Sequence, residues 1–232
     1  MNSCGAALAV VGVLVGSAPT LAQPPTTESS PAAVLLPATL PIFPLQDVVL
    51  FPHSSRTLHI FETRYRDMVA DALEGDGIIG MVLLRPGYEA DYDGQPPVFP
   101  IGCAGEIADM EELPDGRYLI VLRGLAKFRV LAEDHTRSYR LADIESIAEP
   151  LDDSTQQALG EKRQQLAAML STIAPGSILF PTSLSDEAFV DTLAQVLGLD
   201  PAERQVLLEQ EGSVARADRL IEILSRRSSV PL

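Results

Sequence analysis

The stretch FPLQDVVLFPHSSRTLHIFETRYRDM, residues 43–68, sets an apolar run beside a charged segment. Proline has no backbone N–H to donate to a sheet, so Pro44 and Pro52 are expected at strand starts or edges. The run VVLF between them is predicted to be part of the hydrophobic core. The segment RTLHI that follows has the composition of a strand.

A helix is predicted directly after this strand, from Glu62 to Leu73. Apolar residues recur there at helical spacing, and the residues EGDG end the segment. The apolar positions are Tyr65, Met68, Val69 and Leu73. The stretch is therefore predicted to be a passage from strand to helix.

The charged residues at the start of this helix have two interpretations, a reactive site or a structural junction. The side chains concerned are His59, Glu62, Arg64 and Tyr65. A carboxylate at a helix start interacts favourably with exposed backbone N–H groups, and Arg64, Arg66 or Arg123 could pair with Glu62. Such groups commonly stabilise a fold without catalysing a reaction, so we favour the structural interpretation.

Strand signals dominate the chain from Ile42 to about Ile147. Gly, Pro and Asp turn residues separate short runs rich in β-branched and aromatic residues. Besides RTLHI, the runs are IIGMVLL, GCAGEIADM, GRYLIVL, KFRVL and YRLADIESI. In KFRVL the aromatic residue and the valine share one face, and Lys127 and Arg129 share the other. Gly124 is expected at a bulge or bend between two strands.

Helical periodicity replaces the strand signals after Pro150. The first predicted helix has its apolar face at Leu159, Leu166, Leu170 and Ile173. The second is capped by Ser185, ends at Gly198, and buries Phe189, Leu193, Val196 and Leu197. Asp200 is the predicted N-cap of the third, with Pro201 at its first helical position and Glu203 placed to complete a capping box. Gly212 ends that helix, and Ser213 is predicted to cap a fourth that buries Val214, Ala217, Leu220, Ile221 and Leu224.

This order of elements predicts an α+β fold with segregated parts rather than alternating βαβ units. The predicted organisation is a signal peptide at 1–22, a disordered Pro-rich linker at 23–39, a β-rich subdomain at 40–150 and a helical subdomain at 151–227.

The N-terminal segment GAALAVVGVLVGSAPTLAQPP also has two interpretations. It resembles a signal peptide with a cleavage point at Ala22-Gln23, but no Lys or Arg precedes its apolar core. That core is about ten residues long, too short for a permanent membrane span of about 20. Export would place the protein in the periplasm or outside the cell. The alternative is a cytoplasmic protein whose true start lies near Val34.

Composition limits the partners of the protein. Its 232 residues are 46% apolar, which is enough to bury a core. The formal net charge of −15 would repel phosphate backbones, since nucleic-acid affinity depends on Lys and Arg displacing counterions. Nucleic acid is therefore not an expected partner.

No motif for a cofactor, a metal or catalysis is found. The phosphate-binding patterns G-x-x-x-x-G-K-[ST] and G-x-G-x-x-G and the G-x-S-x-G elbow are absent from the sequence. The three histidines, His53, His59 and His135, do not have the spacing of a zinc site, which needs three or four ligands. Cys103 lies in an apolar setting typical of an inert buried thiol. We therefore expect no catalytic residue, no metal and no cofactor.

Several motifs, taken in order, closely resemble the N-terminal substrate-binding domain of the Lon protease family, in particular its stand-alone bacterial form. They are LPIFPLQDVVLFP, LHIFETRYRDM, IGCAGEI, LPDGRYLIVLRGLAKFRV, ERQVLLEQ and RADRLIEIL, and they cover roughly residues 40–226. The family usually has Gly where His53 stands and Pro where Thr63 stands, both at turns. The resemblance implies a pseudo-barrel of strands with one helix, followed by a helical bundle that together hold substrate polypeptide. The ATPase and peptidase parts of Lon have no counterpart here, so we expect a non-enzymatic protein.

The loop RPGYEADYDGQPPVF, residues 85–99, is the candidate peptide-contact region. Its Tyr88, Tyr92 and Phe99 could lie over a groove between the two halves, or the loop could be a solvated hairpin. The leading interpretation is a polypeptide-binding or adaptor module for unfolded or hydrophobic segments, or for a protease or chaperone partner. The alternatives are an assembly subunit that self-associates through its helices, or an unrecognised hydrolase.

Overall fold

The strands of the protein form one sheet that closes into a barrel. The computed structural model describes residues 34–88, 94–173, 180–181 and 183–228. The strands are β1 (Thr39–Leu45), β2 (Ser55–Ile60), β3 (Ile78–Leu83), β4 (Ile101–Glu112), β5 (Tyr118–Asp134) and β6 (Arg140–Ile147). The helices are α1 (Thr63–Glu74), α2 (Asp153–Ile173), α3 (Asp186–Val196), α4 (Pro201–Leu208) and α5 (Gly212–Ser228).

Barrel closure depends on β6, which pairs with both β1 and β5. The sheet order is β2-β5-β4-β3-β1-β6, and the additional pairing of β5 with β6 completes the ring. The pairing of β1 with β3 is parallel, whereas the other pairings are antiparallel. β2 lies outside the ring and pairs with the first part of β5.

β5 merges two predicted strands into one. The runs GRYLIVL and KFRVL form a single 17-residue strand. A register shift against β4 occurs where Gly105 pairs with Gly124 and Ala104 pairs with Ala126. Gly124 therefore lies at a bulge, as predicted, and the strand continues through it because both of its edges keep partners on either side of the bulge.

The predicted passage from strand to helix agrees with the structure. The residues VVLF form no strand, but Val49, Leu50 and Phe51 are buried in the core. Tyr65, Met68 and Val69 are also buried on α1. Leu73 was predicted to face inward but is 39% exposed, and Ala72 lies on the buried face instead.

The helical part agrees with most of the predicted boundaries. Ser185 caps α3 by accepting a hydrogen bond from the backbone of Ala188, and the capping box of α4 is complete. Val196 was predicted to be buried but is 52% exposed at the end of α3. Ser213 is not a cap, because α5 begins at Gly212 and Ser213 is buried inside it.

One hydrophobic core joins the strands to the helices. Phe51 and Leu122 from the strand-rich part share it with Leu193, Leu207 and Leu220 from the helices. A second cluster around Phe128 fills the barrel. The described residues accordingly lie in one compact unit. Within the described ranges, no helix combines the length and apolar character needed to cross a membrane.

Candidate functional site: an apolar groove and a buried charge cluster

An apolar groove of about 290 Å³ opens between the barrel and the start of α4. The strand side supplies Leu83, Leu84, Arg85, Pro86, Tyr88 and Phe99. The opposite side supplies Gln46, Asp200, Pro201 and Ala202. We call this the α4 groove. Its size is near the lower end of the range for ligand pockets, which starts at about 300 Å³.

Backbone hydrogen bonds hold the strand side of the α4 groove in place. Leu84 and Val98 form an isolated antiparallel bridge. The Arg85 N–H donates to the Pro97 carbonyl at 2.9 Å, and the Phe99 N–H donates to the Leu83 carbonyl at 2.8 Å. The base of the candidate loop is therefore a short ladder, which fixes the backbone that carries the Phe99 ring.

Arg85 adds a cation to this aromatic wall. Its Nε donates to the Val98 carbonyl at 3.1 Å, and its guanidinium carbon lies 5.7 Å from the centroid of the Phe99 ring. A guanidinium within about 6 Å of a ring face is attracted by the ring quadrupole. The wall is thus apolar over its area, with one charge at its edge.

The structure brings two of the three predicted contact residues together. Tyr88, which is 46% exposed, and Phe99, which is partly buried, both line the α4 groove. Tyr92 lies outside the described residues. Sequence reasoning did not identify Arg85 or Ala202. The capping box places Ala202 in the first turn of a helix, but nothing local shows which part of the barrel that turn approaches.

A cluster of buried charges lies where the helices meet the strands. Arg216 is fully buried and pairs with Asp191 and with Glu149. Lys127 also pairs with Glu149, and its Nζ donates to the Gln210 carbonyl at 2.6 Å. We call Lys127, Glu149, Asp191 and Arg216 the buried charge cluster, and His53, whose side chain is 46% exposed, joins it through Asp191.

The position of Lys127 corrects the sequence interpretation. Lys127 was expected to share a polar face with Arg129, yet it is 3% exposed while Arg129 is exposed. The Lys127 face of β5 is covered by the helical part, so the ammonium group needs the Glu149 carboxylate as a partner. Burial lowers the pKa of Lys127, and the hydrogen bond to Glu149 opposes that shift. The paired charges of the cluster therefore connect the strand-rich part to the helical part.

His53 makes the stability of the protein depend on pH. Its Nδ1 lies 2.9 Å from Asp191 Oδ2, and this hydrogen bond raises the pKa of His53 above the ordinary 6.5 against the effect of burial. Glu187 also favours the charged imidazole and Arg216 disfavours it. Because the folded pKa is raised, the stabilisation is complete below about pH 6.5 and is lost as pH rises through the folded pKa.

We therefore expect His53→Asn to lower the free energy of unfolding more at about pH 5.5 than at about pH 8.5. Asn tolerates the left-handed backbone at this position, where φ is 55°, and does not titrate. Urea denaturation at the two pH values measures the difference, with His59→Asn as the control outside the cluster. An effect of His53→Asn that is equal at both pH values would contradict the coupling.

The cluster at the start of α1 has the contacts of a structural junction. Arg64 Nε donates to Glu62 Oε2 at 2.9 Å, and the Arg64 guanidinium lies 4.7 Å from the centroid of the Tyr65 ring. Tyr65 is buried against Phe43, with 4.4 Å between the ring centroids. The Glu62 carboxylate makes no side-chain cap hydrogen bond, although Glu62 is the N-cap residue. Arg123 pairs with Glu106 instead of Glu62.

The described residues show no other reactive constellation. Within them, no group of three or more His, Cys, Asp and Glu side chains converges as a metal site would require. Cys103 is fully buried, and burial raises the pKa of its thiol well above the ordinary range. A thiol held in its protonated form is a poor nucleophile.

Comparison with known proteins identifies the family. The sequence profile of the substrate-binding domain of ATP-dependent protease La (Lon) matches residues 39–226. This is most of the chain, and the chain therefore belongs to the family of Lon substrate-binding domains. The resemblance seen in the sequence motifs is confirmed.

Whole Lon proteases match over only part of their length. The Lon protease of Trichlorobacter lovleyi is 28% identical over 213 residues, which are 87% of this chain and 26% of that protein. The Lon protease of Escherichia coli K12 is 25% identical over 191 residues, which are 80% of this chain and 24% of that protein. The chain thus spans about a quarter of these relatives, and the matched part is the substrate-binding domain, not the ATPase or peptidase domains.

Solved structures show the same fold. The Lon N-terminal domain protein from Xanthomonas campestris is 24% identical, with a TM-score of 0.57, over 79% of this chain and 97% of that one. The N-terminal domain of the Mycobacterium avium complex Lon protease is 18% identical, with a TM-score of 0.62, over 81% of this chain and 98% of that one. A strand-rich sheet combined with helices is therefore the common architecture.

Proposed function

We propose that the protein is a non-enzymatic module that binds unfolded or hydrophobic polypeptide segments in the α4 groove. The observation that carries the proposal is the groove itself, an apolar depression beside Tyr88 and Phe99 in a chain of the Lon substrate-binding family. The strand wall is fixed by backbone hydrogen bonds, so an incoming side chain meets a preformed surface. Preformed sites spend less free energy on ordering when they bind.

The size of the groove limits what it holds. About 290 Å³ accommodates one or two apolar side chains rather than a folded partner. Burying one large apolar side chain contributes about 1.5–3 kcal/mol, which corresponds to a factor of about ten or more in affinity. Binding of a short segment is therefore expected to be weak and to depend on apolar anchors.

Substituting Ala202→Glu should weaken binding of a fluorescein-labelled peptide rich in leucine and phenylalanine by about tenfold or more, measured by fluorescence anisotropy. Ala202 is exposed in the groove wall, so the new side chain fills the groove without entering the core. A carboxylate in the first turn of α4 is also compatible with the helix dipole.

The matched control is Ala167→Glu, which adds the same charge at an exposed position of α2. It should bind the peptide as the unmodified protein does. Equal binding by the two variants would remove the groove as the site, and an unmodified protein that binds no peptide would remove the function.

A further inference from the structure

The outer edge of β2 has no partner strand in the described part of the chain. β2 stands at one end of the sheet order and pairs only with β5, whereas each of the other strands pairs on both sides over at least part of its length. An unpaired edge presents backbone N–H and C=O groups to any other extended chain. The outer edge of β2 therefore offers the hydrogen bonds that an added strand needs.

Three residues of β2 direct their backbone groups to this outer edge. The Gly124 N–H donates to the Ser54 carbonyl, and the register of β2 against β5 then runs without a shift to the end of β2. Hydrogen-bonded and non-hydrogen-bonded pairs alternate along an antiparallel ladder, so every second residue after Ser54 also bonds to β5. The residues between them face away from β5, and they are Ser55, Thr57 and His59. We call the backbone groups of these three residues the β2 edge.

The β2 edge is open to solvent and ends at an exposed aromatic side chain. Ser55, Thr57 and His59 are all exposed. Phe61, directly after the strand, is 61% exposed, and its ring centroid lies 5.9 Å from that of His59. Aromatic side chains contribute to the stability of cross-strand pairs. A strand added to the β2 edge therefore gains an aromatic contact at its end besides the backbone hydrogen bonds.

Charge favours a polypeptide segment over a second copy of the chain as the added strand. Residues 53–61, HSSRTLHIF, contain no Asp or Glu, although the chain has 32 acidic and 17 basic residues. The part of β4 beyond its pairing with β3 is different, because Asp109, Glu111 and Glu112 lie there. A second copy would bring its own net charge of −15 to the contact and would be repelled. A segment of an unfolded chain meets no carboxylate within residues 53–61.

We propose that an extended segment of an unfolded polypeptide binds to the β2 edge as a further strand of the sheet. This inference rests on the proposed function for the class of its ligand. It adds a second contact, which recognises the backbone of the ligand rather than its apolar side chains. Backbone hydrogen bonds supply affinity without regard to sequence, which suits a ligand that is recognised because it is unfolded.

The test compares the fluorescein-labelled peptide rich in leucine and phenylalanine with a version that carries N-methyl groups on its central residues. N-methylation removes the backbone N–H donors and keeps every side chain, so the apolar contacts with the α4 groove are retained. We expect the unmodified protein to bind the unmethylated peptide about tenfold more tightly in fluorescence anisotropy. This comparison requires no substitution in the protein.

Thr57→Pro tests the position of the added strand. Thr57 faces away from β5, so proline removes one N–H of the β2 edge without removing a bond to β5. Binding of the unmethylated peptide should fall about tenfold, to the level of the methylated peptide, whose own binding should stay within about twofold.

Met110→Pro is the matched control on the edge of β4. Met110 pairs with Ile120, and Ile120 bonds to β2, so the Met110 N–H also faces away from β5. This variant introduces the same proline at an outward position beside the acidic residues of β4. It should keep the preference for the unmethylated peptide.

The outcomes separate this inference from the proposed function. Equal binding of the two peptides by the unmodified protein, or a preference that survives in Thr57→Pro or is lost equally in Met110→Pro, would overturn strand addition at β2 and leave the groove function standing. If neither peptide binds, both proposals are wrong. A dimer seen by light scattering that Thr57→Pro abolishes would show that a second copy occupies the β2 edge, and would also overturn the inference.

Discussion

Replacing Arg216 by methionine should lower the free energy of unfolding by about 3–5 kcal/mol, since it removes the cation that the Asp191 and Glu149 carboxylates share and leaves them only His53 and Lys127 as partners. Arg216 is fully buried on α5 and pairs with Asp191 and Glu149. Its Nε also donates to the Leu207 carbonyl at 3.2 Å. Methionine fills most of the space but supplies no hydrogen bonds and no charge.

Thermal unfolding followed by circular dichroism measures this effect. A loss of about 3–5 kcal/mol in a chain of this size corresponds to a fall in Tm of about 6–20 °C. Arg219→Met, on the same helix, removes a half-exposed i,i+3 pair with Glu222 and should change stability by no more than about 1 kcal/mol. A similar Tm for the two variants would show that the buried charge cluster contributes little.

Replacing Gly124 by alanine should cost about 3 kcal/mol or more, because a Cβ at this position has no space. An ideal Cβ would lie 2.0 Å from the carbonyl oxygen of Phe51 and 2.9 Å from its carbonyl carbon. Both atoms belong to backbone that hydrogen bonds hold in place. The Gly124 N–H donates to the Ser54 carbonyl at 2.8 Å, and the His53 N–H donates to the Gly124 carbonyl at 3.1 Å.

Relief of this clash requires β5 and the segment before β2 to separate, which breaks those hydrogen bonds and opens the core at Phe51. Gly198→Ala is the control, since nothing lies within 4 Å of its ideal Cβ and its φ is not in the left-handed region. The midpoint of its urea unfolding curve should equal that of the unmodified protein or lie slightly above it. Equal urea midpoints for Gly124→Ala and Gly198→Ala would show that the bulge accommodates a Cβ with little loss of stability.

The parts of the fold that the sequence predicted depend on local chemistry. The capping box of α4 and the cap of α3 involve residues three positions apart, so their geometry is readable from the sequence. The same holds for the buried face of α1, which depends on helical spacing. Errors occurred where distant segments decide the result. Lys127 is buried where it meets Glu149 and Gln210, which lies between α4 and α5, and no local pattern shows this.

The sequence likewise predicted one wall of the candidate site and not the other. Tyr88 and Phe99 were candidate contact residues because they are aromatic residues in a long loop, and both line the α4 groove. The opposite wall comes from the start of α4, about a hundred residues later in the chain.

The pairing of β1 with β6 also bears on how the chain reaches its folded state. Thr39 pairs with Asp143, which lies 104 positions later in the chain, and Thr39 Oγ1 donates to that carboxylate at 2.8 Å. Closing so large a loop costs entropy before its contacts form, and folds dominated by such contacts form slowly. On the ribosome, the edge of β1 that pairs with β6 has no partner until nearly all of the strand-rich part is synthesised. Barrel closure is therefore a late step, and the nascent chain spends much of its synthesis with an unpaired strand edge.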